Sequence, residues 1–228
     1  MTARGFVLAL AMSVGLLTGA QAEEPQVHAR PQTIVIGLDL SKSNPMVLDD
    51  AYAARAGAKA VEGLVALPLK SRVLLRTFGS YEVTANGLKI DQRISSQAKP
   101  AAVAEGIATI IAKVPALVRQ GKLKAQNKTN IVPFLETMSE VVDCQADDVS
   151  VILLTDGFED SEYAHLTAGG GGHLPAPDEA LYAGCKQMTI LGIGQGGGSP
   201  SATQRLRGQW AAWAKAAGFA HFTGLYDW

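Results

Sequence analysis

The residues Thr33-Ile34-Val35-Ile36-Gly37-Leu38 form an almost uninterrupted aliphatic run, and the chemistry changes at once in Asp39-Leu40-Ser41-Lys42-Ser43. A run without polar alternation reads as a strand buried on both faces, the kind found at the centre of a parallel sheet. At its carboxyl end a carboxylate is followed by two hydroxyls. Open α/β sheets hold their ligands just outside the carboxyl ends of the strands. Asn44-Pro45 then punctuates the chain, and Asp49-Asp50 supplies the acidic first turn of a helix.

The remaining chain alternates strands and helices. Val47, Ala51, Ala54, Ala58, Val61 and Val65 recur at helical spacing and predict a helix over 45–67, ended by Pro68. Residues 72–79 read as a second strand. Leu88, Ile90 and Ile94, interleaved with polar residues, read as a half-buried edge strand, and Asn86-Gly87 predicts an antiparallel hairpin between the two. A small-residue helix follows over 101–114, interrupted at Pro115, and a basic connector runs over 116–128. A helix from Val132 or Pro133 to Val142 leads to a third buried strand over 149–155, which ends in Asp156-Gly157. Four glycines at 169–172 form a flexible tip. A short helix over 177–184, a strand over 188–193, a glycine-rich loop over 194–198, a helix over 201–217 and a last strand over 219–222 complete the pattern. The fold class expected is α/β: a doubly wound, Rossmann-like, mostly parallel six-stranded sheet with one antiparallel edge strand and helices on both faces.

A length of 228 residues with 47% hydrophobic and 18% charged side chains suits one globular domain with a full-sized core. The formal net charge of −1 provides no polyanion-binding face, which argues against nucleic acid as a partner. Residues 1–22 read as a cleaved secretory signal: Arg4, an apolar run from Phe6 to Ala20, then Ala20-Gln21-Ala22. An uncleaved anchor is the alternative. Residues 23–32 form a flexible leader and 33–228 the domain, with no membrane span after signal cleavage. A periplasmic or secreted location follows. Export makes a Cys144–Cys185 disulfide redox-permitted, and both cysteines stand just before predicted strands. Two unpaired buried thiols are the alternative.

Two further oxygen donors fall at strand and helix ends. Thr129 starts a helix after the long connector, and Asp156 follows the buried strand over 149–155. D-x-S-x-S at 39–43, Thr129 and Asp156-Gly157 together resemble the metal-ion-dependent adhesion site of von Willebrand factor type A domains. The resemblance covers about 33–222 and has all five residue types in the family's order. It implies a metal centre on Asp39, Ser41, Ser43, Thr129 and Asp156. The three hydroxyls would ligate a magnesium ion (or manganese or calcium) directly, and the two carboxylates would act through waters or hydrogen bonds. The family further implies a protein partner that presents an Asp or Glu carboxylate to the metal. Lys42 and the acidic run from Glu159 to Glu162 would tune which partner fits.

Each segment also has a plain reading. Ser43 or Asn44 can cap the first helix, Thr129 or Asn130 another, and Asp156-Gly157 can be a turn. Asn127-Lys128-Thr129 matches a glycosylation sequon that a bacterial exported protein would ignore. Enzymatic readings fit less well. A phosphohydrolase with Asp39 as nucleophile would want a second aspartate where Ser41 stands. Residues 192–197 satisfy G-x-G-x-x-G but follow a late strand, with no acidic residue at the ribose-binding distance. No Walker A loop and no nucleophile elbow is present. His165 and His173 flank the glycine tip and could approach the metal loops. The expectation is therefore an exported, non-enzymatic binding module of the cell envelope, with a phosphohydrolase or a metal-free degenerate scaffold as alternatives.

Overall fold

The computed structural model describes residues 30–80 and 87–228. The expected signal segment, the expected leader before Arg30 and Asn86 of the expected hairpin turn lie outside the described residues.

The run from Thr33 lies at the middle of a six-stranded sheet. Strand β1 (Gln32–Asp39) is buried along its length after Gln32. It pairs in parallel with β2 (Arg72–Phe78) on one side and with β4 (Asp148–Leu154) on the other. Beyond β4 lie β5 (Gln187–Leu191) and β6 (His221–Leu225), both parallel. Beyond β2 lies β3 (Lys89–Arg93), antiparallel, so the order is β3-β2-β1-β4-β5-β6. This is the mostly parallel sheet with one antiparallel edge strand expected from the sequence.

Alternation along β1 divides the core in two. Ile34, Ile36 and Leu38 join a cluster with α1 (Asp50–Ala60), α2 (Pro100–Ala112) and α3 (Val114–Arg119). Val35 faces the opposite cluster, which holds residues of α4 (Ile131–Ser139) and α5 (Pro200–Ala216). Gly37 is required by the second contact: a Cβ there would sit 2.7 Å from the Phe134 ring and 2.8 Å from Leu153. The missing side chain lets α4 close onto the sheet.

Strand order reverses between β1 and β4, since the chain steps outward to β2 from one and to β5 from the other. Their carboxyl ends therefore open a crevice at the switch point of the sheet. Asp39 closes β1 on one side of it, and Asp156 follows β4 on the other.

Several local expectations need correction. The helix expected over 45–67 is three pieces: a 3₁₀ turn (Pro45–Val47), α1, and a second 3₁₀ turn (Leu64–Ala66). Asn44 caps the first piece through Met46 N, and Asp49 restarts the chain by accepting from Tyr52 N. Its buried face is Tyr52, Ala53, Ala56, Gly57 and Ala60, whereas Ala51, Ala54 and Ala58 are exposed. Alanine is accepted on either face of a helix, so an alanine stripe does not fix rotation; the Tyr52 ring does. No helix forms over 177–184. That segment is irregular because Tyr182 anchors it instead, stacked on Phe219 at 4.4 Å and donating its hydroxyl to Leu135 O. Cys144 and Cys185 are disulfide-bonded, at the amino-terminal side of β4 and β5. Among the described residues no helix is long and apolar enough to cross a membrane.

Candidate metal centre

Three loops meet at the crevice, and backbone hydrogen bonds hold them. The loop after β1 adds to the connector: Gln126 N donates to Leu40 O at 2.8 Å, and Lys42 N to Gln126 O at 2.9 Å. The connector is joined to the loop after β4 by Asp160 N donating to Thr129 O at 2.9 Å. Asn44 spans both strand ends, its amide donating to Asp39 O at 2.9 Å and to Leu154 O at 3.0 Å. Asn44 thus caps a turn and ties the crevice together.

These ties surround a cavity of about 420 Å³. Ser41, Ser43, Thr129 and Asp156 all line it. The Ser41 and Ser43 hydroxyls are 3.2 Å apart. Asp156 is fully buried; Phe158 N donates to its Oδ1 at 3.1 Å, while its Oδ2 has no hydrogen-bond partner. Gly157, at φ +80°, provides the turn that the Asp-Gly pair suggested. Asp39 is not in the lining. It lies behind it, fully buried, accepting from Ser41 N and from the Thr155 hydroxyl, each at 2.7 Å. The five residues from three separate segments are thus brought together, four on the cavity wall and one beneath it.

Electrostatics set the demand of the site. Burial pushes the Asp39 carboxyl up to about 8, and the neighbouring Asp156 adds to the rise. Asp156 is raised too, chiefly by burial, against the lowering pull of the nearby Ser43 hydroxyl and of the Phe158 N–H. Two buried carboxyls this close cannot both ionise cheaply without a cation. The orphaned Asp156 Oδ2 and three hydroxyls provide oxygens of the type a hard divalent ion takes. The residues present therefore fit the ion that the resemblance implies. No group of three His, Cys, Asp or Glu that could hold a metal occurs among the described residues; this donor set depends on hydroxyls instead.

On the rim, Lys42 is exposed. Asp160 accepts from Lys128 Nζ and pairs with His165 Nδ1, each at 2.9 Å. His165 reaches the cavity lining and His173 does not. The glycine run after β5 forms a turn, and its Gln195 and Gly196 also line the cavity.

Neither the family models nor the curated proteins gave a match to this sequence. Similar solved structures do exist. An aerotolerance-related membrane protein from Bacteroides fragilis is 16% identical, with 85% of this chain and 90% of that one covered and a TM-score of 0.44. Manganese-loaded TRAP protein from Plasmodium vivax is 14% identical over 82% of this chain and 71% of that one, with a TM-score of 0.43. Proximal thread matrix protein 1 from the mussel byssus is 14% identical over 87% of this chain, with a TM-score of 0.44; the chain spans 44% of its length.

One structural residue escaped the sequence reading. Glu159 is fully buried, and its Oε2 accepts from Ile131 N at 2.8 Å and Val132 N at 3.1 Å. It caps α4 from a different loop, where Thr129 or Asn130 was expected to do so; the Asn130 side chain makes no capping bond. A cap donated from 28 residues away leaves no local signature. Replacing Glu159 with Ala strands two buried N–H groups and should cost about 2–4 kcal/mol in urea unfolding. Glu159→Gln keeps an acceptor and should cost less than half of that.

Proposed function

We propose that this chain is an exported, non-enzymatic protein-binding module that holds a divalent cation, magnesium foremost, in the cavity between β1 and β4. Ser41, Ser43 and Thr129 would offer neutral oxygens, and Asp156 its unpartnered Oδ2. Asp39 would hold the Ser41 backbone and balance charge from beneath. When bound, the cation supplies an electrophilic position for one further oxygen, and a carboxylate from a partner protein suits it. The reading rests on a single observation: a buried carboxylate oxygen without a partner, facing hydroxyls delivered by two other segments. The disulfide and the signal-like start support a location in the cell envelope.

A ligand that binds only the native state raises stability by RT ln(1 + [L]/Kd), about 2.7 kcal/mol at a hundredfold excess over Kd. For a domain of this size that is a rise of about 5–10 °C in melting temperature. Magnesium or manganese, against a chelator control, should produce it, and Ser41→Ala or Asp156→Asn should remove it. A flat response in the wild-type protein, or an undiminished one in both variants, would overturn the reading. Proteins retained from envelope extract with magnesium and lost with chelator would then identify the partner.

A further inference from the structure

We propose that the groove between α4 and the β2–β3 edge binds an apolar carboxylic acid, an aryl or medium-chain alkyl carboxylate, at a site separate from the metal cavity. The groove has a volume of about 370 Å³. That is near the lower end of the range for small-ligand sites, and fits a guest with one ring or a short chain. Its floor is apolar: Phe78 and Phe134 stack with centroids 4.6 Å apart and planes 27° from parallel, and Met138 and Val141 extend the surface. Val141 is 40% exposed, more than a valine in a finished core would be.

The rim decides the charge of the guest. Arg76 and Lys89 both line the groove, and no acidic residue among the described residues does. Neither cation is ion-paired among the described residues. Arg76 donates Nη1 to the Leu75 and Ile90 carbonyls, which fixes the guanidinium at the edge without neutralising it. The wall also contains Asn130, 4% exposed, with neither amide atom hydrogen-bonded. A buried amide in this state favours a guest that brings an acceptor for its N–H. A neutral apolar guest would satisfy the floor alone. A carboxylate with an apolar tail satisfies floor, rim and wall together.

This site does not depend on the cation. Asn130 lines the groove and Thr129 the metal cavity, so the two are back to back across one segment. The test is isothermal titration of the full chain, in chelator, with 3-phenylpropionate and octanoate, and with 3-phenylpropanamide as the uncharged control. Both acids should bind, and the amide at least tenfold more weakly. Lys89→Glu should weaken the acids at least tenfold. Thr137→Trp, at an exposed position of α4, should fill the groove and abolish binding; both variants should melt within a few degrees of wild type. No binding to the wild-type chain overturns the proposal. So does equal affinity for acid and amide, or binding that both variants leave intact. Because chelator is present throughout, a failed metal site would not produce any of these results.

Discussion

Removal of the Cys144–Cys185 disulfide is expected to lower the melting temperature by about 8–15 °C. The bond closes a loop between residues 41 apart in sequence. In the chain-entropy account, a cross-link of that span restricts the unfolded ensemble by about 4 kcal/mol. The closed loop contains all of β4, the loop with Asp156 and Glu159, and the irregular segment up to β5. Little regular structure holds the stretch from 155 to 186 in the folded state, so the cross-link is a main tie on it. Cys185 itself is fully buried, and its carbonyl accepts from Ala220 N at 3.0 Å, which registers the start of β6. The Cys144→Ala, Cys185→Ala pair tests the link without leaving buried hydroxyls. Calorimetric melts of that variant and of reduced wild type should agree, both well below oxidised wild type. A loss below about 2 °C would show that local packing, not the cross-link, holds this segment. A dependence of this size would also make folding favour an oxidising compartment.

The sheet was legible because its strands are chemically extreme. Residues 33–38 and 149–154 contain so few polar side chains that only a two-sided interior suits them, and both proved central. The helices were less legible where alanine carries the pattern. Ala51, Ala54 and Ala58 recur at helical spacing yet face solvent, because the bulk that fixes rotation is in Tyr52 alone. Tyr182 had the opposite effect. A helical stretch was expected around it, but the ring is needed under Phe219 and the backbone follows the ring. For the candidate site, the pattern could place five oxygen donors at one edge of the sheet, since strand ends fix that edge. It could not separate depths. Asp39 and Asp156 look equivalent in sequence, each closing a buried strand. In the fold Asp39 is consumed by Ser41 N and Thr155, while Asp156 keeps one oxygen free. Glu159 read as part of an acidic surface run, yet it is interior, because its hydrogen-bonding partners come from a helix start that no local rule connects to it.

In the presence of chelator, raising the pH from 5 to 8.5 is expected to destabilise the protein by several kcal/mol, a fall of about 6–15 °C in melting temperature. The sign follows from the buried acids Asp39 and Glu159, and the raised Asp156 works in the same direction. Asp39 is raised from 3.8 to about 8, and Glu159 from 4.5 to about 7, in each case chiefly by burial. The unfolded chain releases both protons near their ordinary values. Between those values and the raised ones the native state therefore holds more protons than the unfolded state, and stability declines as pH rises. The contribution is complete below about pH 4 and gone above about pH 8. Asp91 and Asp160 shift the other way, each lowered and each partnered by basic side chains, so their effect is confined to acid below this window. Asp39→Asn mimics the protonated acid, retaining an acceptor for Ser41 N. It should remove most of the slope above pH 6, while Glu159→Gln should flatten the part below pH 7. A melting temperature that stays level or climbs across this interval in chelator would mean that Asp39 and Asp156 share their charge with water, and that the crevice is wetter than its burial indicates.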